Sequence, residues 1–181
     1  MNINSRIEIE AQNLLNTHKV NSLPIPVEEV AKKAGINVFP FDLGTDVSGV
    51  LNITNGVANI GYNPLESKVR QRYTLAHELG HFVLHYAKNK VFVDNENYFQ
   101  FKMFRSGKLD LNPIDTKYEQ EANAFAAALL MPQLLLQKQV QAYNGFDLSD
   151  SSMIIELAKK FEVSIQAMSY RIINLTQSDL L

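Results

Sequence analysis

The sequence predicts an α+β fold, mainly helical, with a small and mostly antiparallel sheet. Three observations carry this expectation. Apolar residues recur at helical spacing near both ends of the chain. Between Gly35 and Asn63 the pattern changes to short β-branched segments separated by Gly, Asp, Asn and Thr, and an alanine-rich run over residues 119–130 has the composition of a strong helix former. With 181 residues, 46% hydrophobic and 20% charged, the chain suits one compact domain with a sizeable core. Residues 1–145 are expected to form that domain and residues 146–181 a helical segment packed on it.

Ile7, Ala11, Leu14 and Leu15 share a helical face, predicting a first amphipathic helix from about residue 3 to 15. Leu23-Pro24-Ile25-Pro26 breaks the chain. A second helix is expected over 27–34: Pro26 stands near its start, Glu28 and Glu29 in its first turn, Lys32 and Lys33 in its last, and Gly35 follows. Residues 36–41, 49–53 and 57–62 read as strands, with Asn55-Gly56 a two-residue hairpin turn. The last strand runs out at Asn63-Pro64. A long helix should then run from near 65 to near 86, with Leu75, Leu79, Phe82, Val83 and Tyr86 on its apolar face.

Phe99-Gln100-Phe101-Lys102-Met103 alternates like a further strand, packed in the interior or, alternatively, lining a substrate. Ser106-Gly107-Lys108 and Asn112-Pro113 read as loops. A helix over 118–130 ends at Met131-Pro132, and another over 133–143 is closed by Asn144-Gly145. Residues 151–175 read as a helix, a short turn at Glu162-Val163-Ser164 and a second helix.

A formal net charge of −2 leaves no basic excess to neutralise a phosphate backbone, which argues against nucleic acid as the main ligand. There is no cysteine, so disulfides and thiolate metal ligands are excluded and any metal is held by His, Asp or Glu. No apolar run approaches the roughly 20 residues of a membrane span, and Met1-Asn2-Ile3-Asn4-Ser5-Arg6 lacks a signal-peptide pattern. A soluble cytoplasmic protein is expected.

Chemistry concentrates in His77-Glu78-Leu79-Gly80-His81. On a helix, residues four apart project about 40° from each other and one turn apart, so two imidazoles can share one ion. In H-E-x-x-H zinc peptidases the intervening carboxylate is the general base for the attacking water, a role that falls to Glu78. A catalytic zinc site needs a third protein ligand. His85 lies roughly 12 Å along a straight helix from His77, too far for ligands about 2 Å from one ion, so it is read as a packing or supporting residue. His18, in a polar stretch, is read as a surface residue.

Glu119 and Glu121 are the carboxylate candidates, but they lie about 200° apart around the helix and cannot both face one metal. Asn123, one turn beyond Glu119, breaks the tie: its amide could hold the outer nitrogen of a ligating histidine, leaving Glu121 solvated or salt-bridged. A helix-capping role for Glu119 is the competing reading. Two histidines and a glutamate suit Zn2+, and also manganese or iron. The natural reaction is peptide-bond hydrolysis. Tyr73, Tyr86, Tyr98 and Tyr118 are all available to stabilise an oxyanion, none with a privileged claim.

Two stretches resemble the ImmA/IrrE-type zinc metallopeptidases. One is Arg72-Tyr73-Thr74-Leu75-Ala76-His77-Glu78-Leu79-Gly80-His81 with Leu84-His85, and the other runs from Glu119-Gln120-Glu121-Ala122-Asn123 to Leu130-Met131-Pro132. Ser48-Gly49-Val50, residues 60–63 and residues 157–175 are similar too, whereas residues 88–117 match nothing in that pattern. The resemblance implies a zincin-like metallopeptidase domain over 1–145, with Glu119 at the third-ligand position. It also implies substrates that are helix-turn-helix repressors, often of prophages or mobile elements, whose cleavage relieves repression. Residues 157–175 resemble half of a helix-turn-helix, which raises direct DNA binding as a rival. Over 146–181, however, Lys159, Lys160 and Arg171 face five acids, Asp147, Asp150, Glu156, Glu162 and Asp179. That balance favours packing or repressor docking over DNA. A non-hydrolytic, metal-containing protein that sequesters a repressor is the alternative from a different class.

Overall fold

A computed structural model describes residues 3–86, 99–104, 113–143 and 151–177. Among them are seven α-helices, one π-helical turn and four strands, an α+β architecture. They divide into two compact units, one of Val27–Ala126 and one of Met1–Pro26 with Ala127–Leu181.

The Val27–Ala126 unit contains α2 (Val27–Lys33), β1 (Asn37–Pro40), β2 (Val47–Thr54), β3 (Val57–Tyr62), α3 (Lys68–His81), the π turn (Phe82–Tyr86), β4 (Phe99–Phe104) and most of α4 (Pro113–Leu130). The sheet order is β1-β3-β2-β4. β2 pairs antiparallel with both β3 and β4, while β1 runs parallel to β3, so the sheet is mixed and mostly antiparallel. Asn55 and Gly56, at φ 51° and 76°, close the β2–β3 hairpin in the left-handed region that a two-residue turn with this twist requires. Leu51, Ile53, Ala58 and Ile60 are buried on these two strands, and α3 lies against both.

α3 begins at Lys68 rather than near 65, because side chains hold the preceding residues outside the helix. The Leu65 N–H donates to Asn63 Oδ1 at 3.0 Å, and Ser67 caps the helix by accepting from the Arg70 N–H at 3.3 Å. Buried Ser48, at an irregularity in β2, ties this corner to the sheet: its hydroxyl donates to Glu66 at 2.9 Å and accepts from Arg70 at 3.1 Å. α3 also does not continue straight to Tyr86. The π turn takes about one more residue per turn than an α-helix, so the side chains within it shift around the axis. Phe82, Val83 and Tyr86 are therefore only half-buried, and Leu84 and His85 are buried instead.

α4 starts five residues earlier than the expected Tyr118, with Pro113 in the first helical position, where a missing N–H costs nothing. Pro113 had the appearance of a loop residue for the same reason that it opens a helix, and Asn112 lies outside the described residues. Glu119 consequently lies well inside α4 and does not cap it. β4 coincides with the expected strand at 99–103, whereas Ser106-Gly107-Lys108, Asn144-Gly145 and Tyr98 lie outside the described residues.

The other unit holds α1 (Ile3–Thr17), α5 (Gln133–Gln141), α6 (Ser151–Phe161) and α7 (Ile165–Thr176), with the end of α4. Ile7, Ala11, Leu15, Leu136, Leu157, Phe161, Met168, Ile172 and Leu175 are buried there. Glu162, at φ 52°, turns the chain between α6 and α7, and Ser164 caps α7 by accepting from the Ala167 N–H at 3.1 Å. Arg171 is 6% exposed; its guanidinium donates to both carboxylate oxygens of Glu8, and its Nε donates to the Met131 carbonyl at 3.1 Å. Arg171→Ala leaves that carboxylate without its cation and should cost about 3 kcal/mol. Thermal unfolding is expected to fall by about 6–12 °C. A drop within a degree would mean the pair contributes nothing net. Among the described residues no helix is long and apolar enough to cross a membrane.

Candidate metal centre

Every residue from Thr74 to His81 is buried, so α3 carries polar groups through the interior of its unit. Such groups must be satisfied there by one another or by a ligand. Two backbone approaches make room for them. At Gly49 of β2 a Cβ would stand 2.2 Å from Thr74 Cγ2 and 3.4 Å from Glu78 Oε1, so only glycine lets the strand pass this close to the helix. At Gly80 a Cβ would meet Ala122 Cα at 3.2 Å and Phe125 Cδ1 at 3.1 Å, so glycine there brings α3 and α4 together.

That approach gathers His77, His81 and Glu119 into one cluster. The Nε2 atoms of His77 and His81 lie 3.0 Å apart. Glu119 Oε2 is 3.2 Å from the first and Glu119 Oε1 is 3.1 Å from the second. Ligand atoms held at about 2.0–2.1 Å in a tetrahedron stand roughly 3.3 Å from one another, so this donor set fits a zinc-sized ion with little movement. Burial would raise the Glu119 carboxyl, but the His77 and His81 rings set against it and their charge bring it down to about 2. Burial drives the His81 imidazole down to about 4, against the pull of Glu119. The cluster thus presents a carboxylate and a neutral imidazole, the forms in which they bind metals.

Glu78 is fully buried beside this cluster. Neither carboxylate oxygen makes a regular hydrogen bond. Burial first, then the charge of Glu119, raises its pKa well above the ordinary carboxylate value, and the Leu51 backbone N–H opposes this weakly. The hydroxyl of Thr74, one turn earlier on α3, is also buried without a hydrogen bond. A buried carboxylate of raised pKa next to three convergent donors is suited to accept a proton from a small molecule bound among them.

Asn123, one turn beyond Glu119, has its Oδ1 2.9 Å from His77 Nδ1. Tyr73 also donates its hydroxyl to that oxygen, at 2.5 Å. Spacing alone singled out Asn123 but left Tyr73 among four undistinguished tyrosines; the missed signal was its place four residues before His77, on the same helical face. Glu121, expected to be solvated or salt-bridged, is 7% exposed on the other face of α4, and of the two alternatives the ion-pairing one holds. Its Oε2 lies 3.8 Å from His85 Nδ1 and its Oε1 lies 4.0 Å from Lys117 Nζ. His85 is buried too and its ring packs on Tyr118, with centroids 4.2 Å apart. The π turn brings it there, outside the cluster of His77, His81 and Glu119.

The model of the IrrE N-terminal-like domain of the M78 peptidases matches residues 31–172. Over 132 residues the chain is 27% identical to a protein named Uncharacterized immunity region protein 2 of Bacillus phage phi105, covering 73% of this chain and 72% of that one. Over 140 residues it is 26% identical to Metallopeptidase ImmA of Bacillus subtilis strain 168, covering 77% of this chain and 72% of the relative.

Proposed function

This chain belongs to the M78 peptidases with the IrrE N-terminal-like domain, and on that premise we propose that it is a zinc-dependent metallo-endopeptidase. The observation that carries the reading is the convergence of His77, His81 and Glu119 next to a buried carboxylate, Glu78, that has no regular hydrogen bond. In this reading His77, His81 and Glu119 hold the metal. Bound zinc supplies Lewis acidity, which polarises a scissile carbonyl and acidifies water near neutral pH. Glu78 takes a proton from the attacking water and delivers it to the leaving amine as the C–N bond breaks. Asn123 accepts the Nδ1–H of His77, so that Nε2 keeps its lone pair for the metal.

The proposed substrate is a helix-turn-helix transcriptional repressor, cleaved in the cytoplasm to relieve repression. The name of the phage relative, an immunity region protein, supports this class, and so does the similarity to ImmA. We assign catalysis to a zincin-like domain over 1–145 and substrate docking to the helix-turn-helix-like segment within 146–181. Arg171, one of the three cations of that segment, is engaged by Glu8, which further weakens a DNA-binding reading.

The test is co-expression with a candidate helix-turn-helix repressor, sought first among the neighbouring genes, followed by digestion with purified protein. The repressor should be cut into two fragments, with cleavage lost on chelation and restored by zinc. Derepression with an intact repressor would instead establish a non-hydrolytic anti-repressor.

A further inference from the structure

Asn123 is exposed, and an exposed amide on a helix turns freely unless something holds it. Its oxygen nevertheless has two partners at once, the Tyr73 hydroxyl, which donates to it at 2.5 Å, and His77 Nδ1 at 2.9 Å. Tyr73 itself is well anchored. It lies one turn before His77 on α3, with ring centroids 6.1 Å apart, and the Arg70 guanidinium carbon stands 5.5 Å from its ring centre. Burial raises the Tyr73 pKa, with Arg70 opposing and Glu119 adding, so the phenol stays protonated and able to donate.

We infer that Tyr73 is a positioning residue for the metal site: its hydroxyl holds the Asn123 oxygen towards α3, which keeps the proton of His77 on Nδ1 and leaves Nε2 free to ligate. The chemical reason lies in the two orientations of the amide. Turned the other way, Asn123 would offer Nδ2–H to His77 Nδ1, move the imidazole proton to Nε2 and block ligation there. Facing inward with its oxygen, it fixes the metal-binding tautomer. The inference rests on the metal reading and deepens it, because it assigns part of the site's affinity to a residue that does not touch the metal.

The experiment measures zinc alone, by competition with a chromophoric chelator, on the full chain. Tyr73→Phe keeps the ring and its Arg70 contact and removes one oxygen. It should weaken zinc binding about tenfold. Asn123→Ala should weaken it by at least as much, and the double variant should be no weaker than Asn123→Ala, because Tyr73 acts through the amide. Asn123→Asp, which keeps an acceptor for both donors, should retain affinity within a few-fold. Nitrogen-15 spectra should show His77 protonated on Nδ1 in the wild type and a mixture of tautomers in Tyr73→Phe, while the metal-free unfolding temperature stays unchanged. Wild-type affinity in Tyr73→Phe, losses that multiply in the double variant, or failure of Asn123→Asp to hold zinc would each overturn the inference. A wild type that binds no zinc would overturn the metal reading itself.

Discussion

Glu78→Gln is expected to bind zinc as well as the wild type and to lose peptide hydrolysis by on the order of 10²–10⁴-fold, the range that a positioned general acid–base contributes. The substitution keeps the volume and shape of a fully buried side chain, so α3 should pack as before. What it removes is the ability to take a proton. Glu78 is not among the convergent donors formed by His77, His81 and Glu119, so metal content should not change. The measurement pairs zinc stoichiometry with the rate of repressor cleavage. If the variant cleaves at the wild-type rate, Glu78 is not the base. If it relieves repression fully with the substrate intact, the protein acts by sequestration.

The parts of this site that could be read in advance were those in which chemistry and helical period coincide. His77 and His81 are one turn apart, and Asn123 is one turn from Glu119, so a rule about faces of a straight helix was enough to select Glu119 over Glu121. Asn55-Gly56 and the Gly35 stop were legible because left-handed backbone has few occupants. The same reasoning failed where the backbone leaves regular geometry. No local residue pattern announces the π turn, so the burial of Leu84 in place of Phe82 and Val83 was not foreseen, although the packing role read for His85 agrees with its burial. Pro113 illustrates ambiguity of another kind, since proline both ends helices and opens them, and only the rest of the helix decides. Gly49 and Gly80 had no visible role in the chain. Their meaning lies in Thr74 and Ala122, which approach them in space.

Glu119→Ala should abolish stoichiometric zinc binding, and Glu121→Ala should not, although the two acids are two residues apart and Glu121 is the more deeply buried. The two oxygens of Glu119 are the only carboxylate atoms in the convergent cluster found among the described residues, each within 3.2 Å of an imidazole Nε2. Removing them leaves two histidine donors on one helix, and the affinity should fall by more than the roughly hundredfold seen when an outer hydrogen-bond partner is lost. Glu121 faces His85 and Lys117 instead. Its truncation should register as lower thermal stability, because it leaves a buried imidazole without its carboxylate neighbour. Each variant therefore has a signature the other lacks: metal loss with near-normal metal-free stability for Glu119→Ala, and retained metal with reduced stability for Glu121→Ala. The reverse pattern would place the metal on the His85 side of α4, and with it the general base would have to be sought elsewhere than at Glu78.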